Sequence, residues 1–247
     1  MVVREVLGKS ILSPSKIYPY ALNPYVGCQH ACSYCYARFM KRFTGHREPW
    51  GSFVDVKVNA PELLAREVRR KRPDRVWVSG VCDPYQPLEE RYGITRKCLE
   101  ILAEAGWPLV VQTRSGLVLR DRDVLGRFRD GEVGFSVPTA DDGIRRAFEP
   151  WAPPIGERIR ALGELHGAGI RTYGMIAPLL PGAEGLMDLL AGVVDHVLVD
   201  RMNYRGGEGV YRSLGLEECL SEGYARRVGE EIRADCLRLN VACRVLF

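Results

Sequence analysis

Apolar residues along the chain fall into short β-type runs separated by stretches with helical periodicity. The runs are Asn23–Gly27, Arg75–Gly80, Pro108–Thr113, Glu132–Val137, Ile170–Ala177 and Asp195–Val199. Each is followed by a turn and then by apolar residues recurring every three to four positions, the pattern of an amphipathic helix. The helical stretches include Ala60–Arg72, Ile94–Ala105, Asp121–Arg129, Ile155–Ala168 and Ala183–Gly192, several opened by Pro or by an Asn, Asp or Thr cap and closed by Gly. Six such βα units predict an α/β domain built on a parallel sheet.

A closed eight-unit barrel takes roughly 250 residues, about 30 per unit. The span from Asn23 to Asn203 has room for about six units at that spacing, so a partial (βα)6 TIM-like barrel in a single domain is expected over residues 23–203. The competing doubly wound sheet would carry a G-x-G-x-x-G turn after its first strand, whereas cysteines follow here. Residues 1–22 read as an N-terminal extension. Residues 204–247 read as a Gly-rich loop, a helix around Glu218–Leu239 and a short last strand, Val241–Leu246.

With 46% hydrophobic residues in 247, one large core can form without staples. No apolar run approaches the roughly 20 residues a spanning helix needs, and Met1-Val2-Val3-Arg4-Glu5 does not open a secretory signal. A cytoplasmic location with no membrane partner is expected. The 35 basic and 31 acidic side chains leave a net charge of only +4, which neither requires nor excludes a nucleic-acid partner.

Of eight cysteines, Cys28, Cys32 and Cys35 are grouped and the others are scattered. Their spacing, C-x3-C-x2-C directly after the first expected strand, suits three thiolates that ligate three irons of a [4Fe–4S] cluster and leave the fourth iron open. A zinc site completed by His30 or His46 is the alternative. Cys219, Cys236 and Cys243 match no ferredoxin-like spacing, so a second cluster is not expected from them. The run Arg69-Arg70-Lys71-Arg72 reads as a solvated helix terminus, where cations meet the negative end of the dipole.

The cysteine spacing, with Tyr34 just before the third Cys, resembles the radical S-adenosylmethionine superfamily. The stretches His46–Gly51, Val56–Asn59, Val78–Glu89, Leu119–Asp121, Phe135–Thr139, Glu149-Pro150 with Arg158, and Ala177–Gly182 are similar to the spore photoproduct lyase-like branch, over about residues 11–200. The resemblance implies that the open iron chelates the amino and carboxylate groups of S-adenosylmethionine. An electron from the cluster then cleaves it to methionine and a 5′-deoxyadenosyl radical that abstracts a hydrogen atom.

Active sites of parallel barrels lie at the carboxyl ends of the strands. The resemblance places Asp83 against the methionyl ammonium and Tyr34 and Tyr36 beside the adenosyl moiety. It places Arg114, where spore photoproduct lyases use a Lys, and Ser136 against the carboxylate and ribose. In those lyases a Cys ahead of the corresponding Asp returns a hydrogen atom to the product radical. Gly80 holds that position here, and Cys82, two residues on, is the candidate donor.

The expected function is therefore that of a radical S-adenosylmethionine enzyme acting on an unidentified substrate, a nucleic acid or a protein. An electron donor such as ferredoxin or flavodoxin would supply the electron. Lesion reversal in DNA is the enzymatic alternative, and a metal-stabilised nucleic-acid-binding module is the non-enzymatic one.

Overall fold

The structure is a computed structural model and describes residues 1–203 and 206–247. The apolar run from Tyr18 to Val26 contains Pro24, which lacks an N–H and holds its predecessor extended, so the run divides there. Its two halves enter different sheets. This moves the first barrel strand from the expected Asn23–Gly27 to Tyr20–Leu22.

The chain forms β1 (Val2–Val6), β2 (Leu12–Pro14), β3 (Tyr20–Leu22) and β4 (Tyr25–Val26) before a 3-10 segment, Tyr36–Phe43. Next come β5 (Phe53–Lys57), α1 (Ala60–Glu67), β6 (Val76–Val78), α2 (Leu88–Tyr92), α3 (Ile94–Glu104) and β7 (Leu109–Thr113). A 3-10 turn leads to α4 (Arg122–Leu125), β8 (Gly131–Ser136), α5 (Asp142–Phe148), α6 (Ile155–Gly167), β9 (Arg171–Ile176), α7 (Leu186–Leu190) and β10 (His196–Val199). The chain closes with α8 (Glu208–Leu214), a 3-10 turn at Glu217–Leu220, α9 (Glu222–Arg238) and β11 (Ala242–Val245).

The main sheet runs β11-β10-β9-β8-β7-β6-β3-β2. All neighbouring strands in it are parallel except β2, which returns antiparallel along β3. The sheet is open at β2 and β11, as a partial barrel is. The expected last strand, observed as β11, adds a seventh parallel strand beside β10. Residues 1–22, expected as an extension, supply β2 and β3 to this sheet and β1 to a small second sheet, β1-β5-β4. The expected C-terminal segment begins at Tyr204, which with Arg205 lies outside the described residues.

The sheet is covered on both faces, which is why Leu109, Val110 and Val111 are all buried in β7. Helix α3 turns Ile94, Cys98, Leu99 and Leu102 inward, and α6 turns Ile155, Arg158, Ala161, Leu162 and Leu165. In the row Gln112, Gly134, Tyr173 and His196, neighbours are register partners across β7–β10. A Cβ at Gly134 would overlap the Tyr173 ring. The ring therefore lies across the glycine, its hydroxyl 3.4 Å from Gln112 Oε1, and stacks on His196 at 5.2 Å. Among the described residues no helix is long and apolar enough to cross a membrane.

Candidate active site

Gly27 follows β4 with φ of +96°, and a Cβ there would collide with the Phe53 carbonyl, so a glycine is what lets the chain turn off the small sheet. Cys28, Cys32 and Cys35 follow as free thiols, the first two buried and the third half-buried. The loop is pinned from both sides. Gln29 accepts from Leu88 N at 2.7 Å, Gln86 Oε1 accepts from Gln29 N at 3.0 Å, and Ser33 N donates to Phe148 O at 2.8 Å. The Cys32 carbonyl accepts from Cys35 N at 3.2 Å and from Arg38 Nη2 at 3.1 Å.

Burial pushes all three thiols up, Cys32 to about 12 even with Arg114 acting against it. Such thiols ionise only when a metal replaces the proton. The donor set is all sulfur. The buried Trp50 Nε1 has no hydrogen-bond partner among the described residues and is near enough to Cys35 to favour its thiolate. Among the described residues no three His, Cys, Asp or Glu side chains converge to hold one metal ion. Zinc needs four ligands around one centre, whereas an iron–sulfur cluster spreads its thiolates over separate irons. One of the two histidines of the zinc alternative is also committed elsewhere. This holds for His46, whose Nδ1 lies 3.0 Å from Glu48 and Nε2 2.8 Å from Asp55, whereas His30 Nδ1 lies 3.4 Å from Trp151 O and its Nε2, 3.2 Å from Asp83, has no aligned hydrogen-bond partner. The residues present fit a cluster better than a zinc ion.

Asp83, just past β6, is buried and has both oxygens occupied. Oδ1 accepts from Thr113 Oγ1 at 2.6 Å and Tyr85 N at 2.9 Å, and Oδ2 accepts from Arg114 N at 2.8 Å. His30 Nε2 sits 3.2 Å from Oδ2 but is not aligned to donate, so the attraction is that of nearby charge and dipole. Burial alone would raise this carboxyl, yet His30, Thr113 and Arg114 hold it down to about 2. Asp83 thus ties the ends of β6 and β7 to the cysteine loop.

A second buried carboxylate, Glu149, organises the other side. Its Oε2 receives Arg158 Nη2 at 2.5 Å, and its Oε1 receives Arg114 Nε at 2.8 Å together with the Tyr34 hydroxyl. Arg114 Nη2 also reaches the Tyr34 hydroxyl at 3.2 Å, and Arg158 Nη1 donates to Ser136 O at 2.8 Å. Burial opposes ionisation of Glu149, but Arg158 and Arg114 keep its pKa near about 2.

The structure thus joins Tyr34, Arg114 and Ser136 around Glu149, with Asp83 linked through the Arg114 backbone. Ser136 Oγ also accepts from Gln112 Nε2 at 3.1 Å, next to the Tyr173 row. Tyr36 stands apart, donating to Gly80 O. Cys82 is not part of the group. Its sulfur lies 2.9 Å from Ser79 Oγ against the main core, and burial raises its thiol to about 12 although Ser79 works the other way. A side chain at Gly80 would press on the Trp77 ring. Cys236 Sγ contacts Met187 Sδ at 3.5 Å, while Cys219 packs with Tyr211 and Leu180, so these cysteines serve different neighbourhoods. Helix α1 ends at Glu67, ahead of the expected Arg72, and Lys71 bridges back to Glu67 at 3.0 Å.

Sequence reading did not assign Glu149, Arg158 and Trp50 to the site. Arg158 carried a usable signal, since it lies on the apolar stripe of α6, where a cation must have a buried partner. Trp50 lies in the His46–Gly51 stretch and Glu149 and Arg158 in another that carry the family resemblance, but a resemblance assigns no role to them, and their contacts with the cysteine loop and with Arg114 are made only in three dimensions.

The Radical SAM superfamily model matches residues 22–184, well over half of the chain. An uncharacterized protein of Methanocaldococcus jannaschii is 36% identical over 179 residues, covering 72% of this chain and 67% of that protein. A radical SAM Nalpha-GlyT isomerase of Pseudomonas phage M6 is 27% identical over 162 residues, covering 65% of this chain and 33% of that protein. A spore photoproduct lyase variant with bound S-adenosylmethionine and dinucleoside spore photoproduct superposes with a TM-score of 0.72 at 16% identity. That match covers 100% of this chain and 81% of the lyase. The shared fold is the open parallel barrel described above. These matches overturn the reading as a non-enzymatic metal-stabilised module: the chain belongs to the radical SAM superfamily and is an enzyme that uses S-adenosylmethionine.

Proposed function

We propose that Cys28, Cys32 and Cys35 hold a [4Fe–4S] cluster and that S-adenosylmethionine binds beside it at the carboxyl ends of β6–β8. The observation that carries this reading is the meeting of the cysteine loop with two buried carboxylate networks there, through His30 and Asp83 on one side and through Tyr34 and Glu149 on the other. When bound, the cluster supplies the one electron that splits S-adenosylmethionine to methionine and a 5′-deoxyadenosyl radical, which takes a hydrogen atom from the substrate.

The chain's own residues set the geometry for that chemistry. Arg114 commits Nε and Nη2 inward to Glu149 and Tyr34, so its remaining edge is what it offers a carboxylate, with the fork geometry that suits one. Asp83, with its oxygens filled, acts as a positioning residue that fixes Arg114 and the His30 turn. Tyr34 closes the wall behind Cys32 with Phe148 and Tyr211. Buried, prearranged polar groups of this kind hold a charged ligand without reorganising when it binds.

Anaerobic reconstitution with iron and sulfide, dithionite reduction and an assay for 5′-deoxyadenosine test the reading. Product formed by the wild type and not by Cys32→Ala supports it; iron uptake without cleavage, or no uptake, overturns it.

A further inference from the structure

The His46–Gly51 stretch, which carries part of the family resemblance, is drawn tightly against the cysteine loop. Gly51 has φ of +96°, and a Cβ there would overlap the Ala31 Cβ, so only a glycine lets this stretch close on the turn between Cys28 and Cys32. Trp50, the residue before it, is thereby held beside the loop. Its ring meets Phe53 edge-on at 5.8 Å, Phe53 stacks on His46 at 4.2 Å, and His46 is fixed between Glu48 and Asp55. These contacts brace the indole.

Packing alone does not account for it. Trp50 Nε1 is buried with no hydrogen-bond partner among the described residues, and a buried N–H without an acceptor is a cost that native structures rarely bear. The sulfur near it is that of Cys35, the half-buried member of the triplet. Burial holds the Cys35 thiol up, while the Ala37 N–H, the guanidiniums of Arg114 and Arg38 and the Trp50 indole act against it. Among these the indole is the uncharged side-chain donor. A neutral thiol is a weak acceptor, whereas a thiolate takes a stronger, charge-assisted hydrogen bond.

We propose that the Trp50 indole N–H donates to the Cys35 sulfur once that sulfur ligates iron, and that this bond raises the potential at which the cluster takes up its electron. The inference rests on the reading of Cys28, Cys32 and Cys35 as cluster ligands. Reduction adds one negative charge to the cluster and its sulfurs, so a fixed N–H dipole aimed at one of them stabilises the reduced form more than the oxidised one. Trp50 acts through Cys35 and so is a positioning residue.

The test compares the reconstituted wild type with Trp50→Phe, which keeps an aromatic ring and loses the N–H, in an EPR-monitored redox titration without S-adenosylmethionine. The variant should match the wild type in iron and acid-labile sulfide. Its equilibrium constant for reduction should fall about tenfold, a midpoint lower by roughly 59 mV for one electron. A purely packing role would leave the midpoint where it is. A second measurement needs no variant: pulsed EPR of the reduced wild-type cluster, in protein carrying tryptophan labelled with 15N in the indole, should show a 15N coupling. An unchanged midpoint at matched iron content overturns the proposal. Absence of the 15N coupling overturns it too, and decides the matter if Trp50→Phe fails to load. A wild type that takes up no iron removes the cluster reading and this one together, and its iron content reveals that before either measurement.

Discussion

Arg158 Nη2 lies 2.5 Å from Glu149 Oε2 with both side chains fully buried, and this pair is the hinge between helix α6 and the wall behind Cys32. Arg158 also donates to the carbonyls of Pro153 and Ser136, so the guanidinium is saturated by the loop before α6 and the end of β8.

Removing one partner of a buried pair leaves the other charged and desolvated. Arg158→Leu should cost about 3–5 kcal/mol. For a chain of this length each kcal/mol lowers Tm by about 2–4 °C, giving a fall of roughly 6–20 °C in a thermal melt. The double variant Arg158→Leu/Glu149→Leu should recover part of it. A melt within a degree of wild type for Arg158→Leu would show that the pair carries no stability.

The carboxyls of Asp83 and Glu149 both titrate near about 2 in the fold, below their ordinary values. The folded state therefore binds fewer protons than the unfolded chain over this range, and stability is fully present above the ordinary carboxylate pKa. It should be lost as pH falls from about 4.5 toward 2, by roughly 2–3 kcal/mol for each group. Urea unfolding of the apoprotein at neutral and acid pH reads this directly. Glu149→Gln should be less stable at neutral pH and show a shallower acid loss.

Cys32→Ala should take up far less iron than wild type on reconstitution and lose the absorption near 400 nm. Cys82→Ala should keep both, because its sulfur is directed to Ser79 and the core. Iron and acid-labile sulfide assays separate the two. Loss of iron in Cys82→Ala would make Cys82 a ligand.

Gly134→Ala would push a methyl group into the Tyr173 ring. The ring cannot retreat without breaking its stack on His196, so a cost of about 1–3 kcal/mol is expected. Pairing it with Tyr173→Leu should relieve most of that cost, and equilibrium unfolding of both variants measures it.

By itself the sequence determined the repeating βα order, the position of the cysteine triplet and the family, because apolar period and close ligand spacing are local properties of the chain. β7, β8, β9 and β10 fall where their apolar runs do, since strands buried on both faces must be continuously apolar. The first strand was legible only in part, as Pro24 splits one apolar run between two sheets whose partners, β5 and β6, lie far along the chain. Only the tertiary structure decided that Asp83 is filled by Thr113, Tyr85 and Arg114, that Cys82 turns to Ser79, and that Glu149 gathers Tyr34, Arg114 and Arg158. The physical reason is that a buried charge is defined by which partners reach it, and Tyr34 and Arg114 reach Glu149 from 115 and 35 positions away, so they meet it only when the barrel forms.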